Sequence, residues 1–176
     1  MNEIIIFQLQ KNINIFLKLF SNVDKKLQYW KPQKNQWCLL EVLCHLLDKE
    51  REDFRVKTQW AINQQGKPMP VTNSVIWAES RGYLSQNLSR NLQRFMIERE
   101  TSVQWLKSIT TDLWNTPFEH PEEGTLTAKY FLTEWLAHDF IHLRQIIKLK
   151  HDYLTNISSV DDKSTEPESL RYAGNW

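Results

Sequence analysis

Only four glycines interrupt this chain of 176 residues, and its apolar side chains recur at intervals of three, four, seven and eight. That period belongs to the α-helix, where such positions share one face. A chain so patterned must bury its stripes between packed helices. Residues 3–20 carry the stripe Ile6, Leu9, Ile13, Phe16, Leu17 and Phe20; after Pro32, residues 37–60 carry Leu39, Leu43, Leu46, Leu47 and Phe54. Gly66, Pro68 and Pro70 then open a connection to about Ser80. It is longer than most connections inside a compact domain, which makes it a candidate pocket wall or lid. A third helix is predicted over residues 81–109. The fourth follows a loop holding Pro117, Pro121 and Gly124, is capped by Thr125 or Thr127, and runs to about residue 150. No internal repeat and no strand alternation stands out. The prediction is an all-α protein, an up-down-up-down four-helix bundle over residues 1–152. Residues 153–176 contain a polar run from Asp161 to Glu168 that cannot bury enough surface to order itself.

Charge and cysteine usage narrow the function classes. With 22 basic and 21 acidic residues the net charge is +1, so no long-range attraction to nucleic acid or to a membrane surface is expected. The apolar cluster Ile4–Phe7 has no basic n-region before it and no small-residue cleavage site after it, and is too short to span a bilayer. Cys38 and Cys44 lie six residues apart in a helical stretch, about 9 Å by helical rise, too far for a disulfide. A reduced, cytoplasmic protein is the simplest expectation. Eight tryptophans predict a core of bulky side chains that can line a cavity.

The chemistry concentrates in Trp135-Leu136-Ala137-His138-Asp139-Phe140-Ile141-His142. Positions i and i+4 stand one above the other, so His138 and His142 can chelate one ion from a rigid helix. Phe131, Trp135 and Leu149 share that face, so each imidazole nitrogen needs a partner. A metal is one such partner and ordinary hydrogen bonds are the other. Glu134 lies four residues before His138, not three, so the carboxylate-histidine pattern of a di-iron bundle is missing. Asp139 points about 100° away from His138 and is expected to pair with a basic residue of a neighbouring element.

Trp37 followed eight residues later by His45-Leu46-Leu47-Asp48-Lys49-Glu50, with the two-histidine helix near the end of the domain, resembles the DinB-like superfamily. The lead-in His120-Pro121-Glu122-Glu123-Gly124-Thr125-Leu126-Thr127 is also similar, and the resemblance covers residues 4–150. It implies a four-helix bundle, often dimeric, whose divalent metal is held by three histidines, here His45, His138 and His142. It also implies thiol-dependent transfer or isomerisation with low-molecular-weight thiols in some members. Periodicity alone sets His45 about 140° from the centre of the leucine stripe of its helix, at a surface or a cleft edge. The same wheel puts Glu50 near the middle of that stripe, where it needs a buried partner such as Arg99.

Three neutral imidazoles would leave at least one metal position open, as catalytic sites do. Zn²⁺ and Ni²⁺ both suit imidazole ligation. Asp48 and Glu134, each about one turn from a proposed ligand, are candidates to accept an imidazole N–H. Trp77 and His120 are candidates to face a small-molecule ligand. The expectation is a metal-dependent transferase or hydrolase. The rivals are a non-catalytic small-molecule-binding module and a purely structural helical dimer. The second apolar stripe of the last helix (Leu132, Leu136, Phe140, Leu143, Ile147) adds the expectation of an isologous homodimer.

Overall fold

A computed structural model describes residues 1–63, 68–120 and 122–158. Helix α1 spans Asn2–Phe20 and the short α2 spans Lys25–Tyr29. Helix α3, Leu39–Lys49, runs through a π-helical turn, Glu50–Phe54, into α4, Arg55–Asn63. A crossing segment follows, carrying α5, Trp77–Ser80, before α6, Leu88–Ser108. Strands β1, Pro117–His120, and β2, Gly124–Thr127, then lead into α7, Ala128–Ser158. Local chemistry fixes several starts. Asp24 accepts from Leu27 N and Asn87 from Arg90 N, each at 2.8 Å, and the Cys38 N–H donates to the Glu41 carboxylate at 2.9 Å.

The expected all-α four-helix bundle is present, with α1, α3–α4, α6 and α7 as its staves. The directions of the staves differ from simple alternation. One apolar cluster collects Phe16, Phe20, Leu39, Leu43, Phe95, Ile146 and Leu149; the other collects Ile6, Leu9, Trp60, Val103, Leu106, Phe131 and Trp135. Going up in residue number, α1 and α7 pass from the second cluster to the first, while α3–α4 and α6 both pass from the first to the second. The order is therefore up, down, down, up. The crossing segment makes this possible by climbing back along α3–α4. Thr72 donates to Asp53 at 2.8 Å, Arg81 reaches Asp48 at 2.8 Å, and Asn91 Nδ2 meets Cys44 at 3.1 Å. The long connection is a crossover between parallel staves.

Two further expectations change. Thr125 and Thr127 lie in β2, where Thr125 Oγ1 donates to Glu119 across the hairpin at 2.7 Å. The hairpin pairs Pro117 with Thr127 and His120 with Gly124, and Gly124 takes a φ of 74° at the turn. Four residues per strand are too few to display alternation, so the sequence pattern could not reveal them. At the other end α7 continues through Ser158, and Tyr153 is buried with its ring 5.7 Å from Trp30. The expected disorder of the tail now concerns residues 159–176, which lie outside the described residues. Among the described residues, no helix is long and apolar enough to cross a membrane.

Candidate metal centre

Every residue from Leu39 to Asp48 is buried. Helix α3 contacts α2, α5, α6 and α7, so it has no solvent face, and the single-stripe assumption that left His45 at an edge does not hold for it. His45 points at α7. There the i, i+4 spacing brings His138 and His142 together, and the Nε2 of His138 lies 3.1 Å from the Nε2 of both His45 and His142. All three nitrogens lie within 4.8 Å of one another. Two nitrogens 3.1 Å apart, each about 2.1 Å from a shared ion, subtend about 95° at it, an angle that His138 can make with either of its partners.

The donor set also argues for a cation. The Nδ1–H of His142 donates to Gln145 Oε1 at 2.7 Å, which leaves the lone pair of Nε2 facing the cluster. A neutral imidazole has one N–H, so His138 Nε2 cannot satisfy both of its 3.1 Å neighbours as a single donor or a single acceptor. Protonating a ring is opposed as well. Burial, together with the neighbouring His142 and Lys49, pushes His45 down to about 3. His138 and His142 are also lowered, burial being the largest cause for each. A proton is disfavoured here and a lone-pair acceptor is wanted. The arrangement fits a divalent ion.

The surrounding layer is aromatic and amide-rich. The rings of Trp37 and His45 lie 4.8 Å apart, and those of Phe54 and His138 lie 5.0 Å apart. A groove of about 490 Å³ between the chain at Pro32–Trp37 and the α7 residues Gln145, Lys148, Leu149 and Asp152 shares Trp37 and Gln145 with this layer. It is of small-molecule size. The His45 Nδ1 atom is buried without a hydrogen-bond partner.

The DinB superfamily profile matches residues 8–146. The chain belongs to the DinB superfamily. Among solved structures it is similar to YfiT from Bacillus subtilis, a probable metal-dependent hydrolase with an unusual four-helix bundle topology. The TM-score is 0.75 at 14% identity, over 85% of this chain and 86% of the other. No curated protein matches the chain in sequence.

Other residues singled out in this DinB-like chain sit elsewhere. Asp48 accepts from Tyr83 Oη at 2.9 Å and pairs with Arg81, so its carboxylate serves the crossover and not an imidazole. Glu134 is exposed. Trp77 is buried in the core with the Arg81 guanidinium 4.1 Å above its ring. His120 stays at the hairpin, its Nδ1 accepting from the backbone of Glu122 and Glu123 at 3.2 and 3.1 Å. The partner that orients an imidazole is instead Gln145, three residues after His142 on α7. Helical spacing would have found it, since i and i+3 are neighbours. Glu50, Arg99 and Asp139 do meet. Arg99 donates Nε to Glu50 at 2.9 Å and both terminal nitrogens to Asp139 at 2.6 and 2.7 Å.

Proposed function

We propose that His45, His138 and His142 hold one divalent ion, Zn²⁺ or Ni²⁺, at the centre of a metal-dependent enzyme. A hydrolase is the leading reading and a thiol-dependent transferase the second. The observation that carries this is that His138 Nε2 faces two imidazole nitrogens at 3.1 Å and can bond only one of them, in surroundings that disfavour an imidazolium. A bound divalent ion would supply Lewis acidity, lowering the pKa of a water or stabilising a thiolate. The chain's own contribution is orientation. Gln145 holds His142 with its Nε2 lone pair toward the cluster. Trp37 and Phe54 flank His45 and His138 and keep bulk water from them. The groove lined by Trp37 and Gln145 would hold the non-reacting part of a small molecule. The hydrolytic reading is supported by the fold shared with YfiT, itself a probable metal-dependent hydrolase. The transferase reading is supported by the superfamily resemblance. Two buried free thiols, Cys38 and Cys44, suit a reducing compartment such as the cytoplasm.

The test uses protein purified without a histidine tag. Elemental analysis should find close to one equivalent of Zn or Ni, and calorimetry on stripped protein should give one site that His142→Ala abolishes. Unchanged affinity in that variant would overturn the site. The loaded protein is then assayed with nitrophenyl esters and with a thiol plus an electrophilic acceptor. Turnover of neither, with metal bound, would leave a binding module.

A further inference from the structure

Four residues beyond His45, on the same face of α3, stands Lys49. Its side chain is 15% exposed, and its Nζ lies 4.8 Å from the centre of the Phe54 ring, which stacks on Trp135 and also meets the His138 ring at 5.0 Å. The ammonium and a histidine of the trio thus meet the same aromatic ring.

The charge count around it is uneven. Lys49 pairs with Asp53, but Asp53 is also paired with Lys57 at 2.7 Å and accepts from Thr72 at 2.8 Å. One carboxylate faces two ammonium groups and a hydroxyl, so Asp53 stays compensated when Lys49 turns away. Arg81 has no such excess, being tied to Asp48 at 2.8 Å and to Glu52 at 2.7 Å. Phe54 adds a flat apolar wall along which the lysine stem can swing.

We propose that Lys49 is a second anchor beside the metal centre, binding an anionic group of the substrate while the reacting group lies at the ion, so that the site takes carboxylate-bearing or similarly anionic small molecules. This rests on the metal-centre reading. A partly buried ammonium with spare charge recognises a carboxylate far better than an exposed one, because solvent screens it less.

The probe is the monohydroxamate of succinic acid against its neutral amide analogue, both titrated into protein loaded with Co²⁺ and followed by the visible Co²⁺ spectrum. The hydroxamate end is common to both, so the ratio of affinities reads the carboxylate alone. The acid should bind about tenfold tighter to the unaltered protein. Lys49→Met should bring that ratio close to one without changing Co²⁺ affinity, Lys49→Arg should keep most of it, and Lys57→Met should leave it intact. An unchanged ratio in Lys49→Met, with Co²⁺ still bound, overturns the anchor and leaves the metal centre standing. Failure of the unaltered protein to take Co²⁺ overturns both. Loss of Co²⁺ from Lys49→Met would make the lysine part of the site's construction and overturn its role as an anchor. If Lys49→Met does not fold, Lys49→Gln is read the same way.

Discussion

Each histidine of the trio is held differently. His142 has its far nitrogen bonded to Gln145, whereas the far nitrogen of His45 is buried without a partner. A ligand whose ring is fixed from behind loses little entropy on meeting an ion. Gln145→Leu should therefore weaken Zn²⁺ affinity by about tenfold to a hundredfold with helicity unchanged, measured by calorimetry and circular dichroism. Gln145→Glu should restore or exceed the original affinity, since a carboxylate is the stronger acceptor; equal affinity in all three proteins would remove Gln145 from the site. The cysteines give a second expectation. Cys38 and Cys44 are 0% and 1% exposed, so neither should react with an aromatic disulfide reagent until the protein unfolds. Two free thiols titrated rapidly in the native protein would contradict that packing.

Among the elements, the π-turn at Glu50–Phe54 and its surroundings join the two apolar clusters. Glu50 from the turn, Asn12 from α1, Arg99 from α6, and Trp135 and Asp139 from α7 form one buried polar layer; Asn12 Nδ2 donates to Asp139 at 2.8 Å and Trp135 Nε1 to Glu50 at 2.8 Å. Arg99 is the single cation between two carboxylates there. Arg99→Met should cost about 3–5 kcal/mol in urea unfolding, because both acids lose their only cation in the dry core; a loss below about 1 kcal/mol would mean the layer is wet or plastic. Asp53, also in the turn, fastens the crossover through Thr72. Burial would raise its pKa, but the bonds from Lys49 and Lys57 win and hold it below the usual carboxylate range. A depressed folded pKa stabilises fully above the unfolded value of about 3.9 and is lost as pH falls through the folded value. The stability gap between the native chain and Asp53→Asn should thus be about 1–3 kcal/mol near pH 7 and shrink below about pH 4, as read by thermal melts across that range.

Much of this was legible in the sequence. The apolar stripes gave four staves, and the i, i+4 pair gave the α7 half of the trio. Asp139 and Glu50 each announced the need for a basic partner, which Arg99 meets. What stayed hidden depends on direction and surroundings. Periodicity cannot say which way a stave runs, so the crossover read as a pocket wall or lid; and α3, buried on every side, has no polar face from which to orient His45.

At the scale of the whole molecule, the up-down-down-up order sets α1 and α7 side by side and parallel, with Asn12 meeting Asp139 and Lys150 Nζ donating to the Leu19 carbonyl at 2.7 Å. This pairing divides the second apolar stripe of α7. Leu132 and Leu143 are covered at 0% and 9% exposure, whereas Phe140 and Ile147 remain 50% and 46% exposed. On the neighbouring α1, Ile15 and, about three turns before it on the same flank, Ile4 are also exposed, at 40% and 72%. Single exposed apolar residues are ordinary, but a run of them along one seam marks a surface suited to a partner. We propose a second copy as that partner, in an isologous two-fold dimer, because each copy would offer the same seam to the other. The outer seam lies on the flank of α7 away from His138 and His142, so dimerisation would leave the trio complete within each subunit. Phe140→Lys should accordingly yield a monomer that still binds one Zn²⁺ with unaltered affinity. Sedimentation equilibrium at micromolar concentration decides the matter: the native chain should weigh about twice its 21.1 kDa and the variant once. A native mass of one chain would reject the dimer and leave the seam an exposed apolar strip.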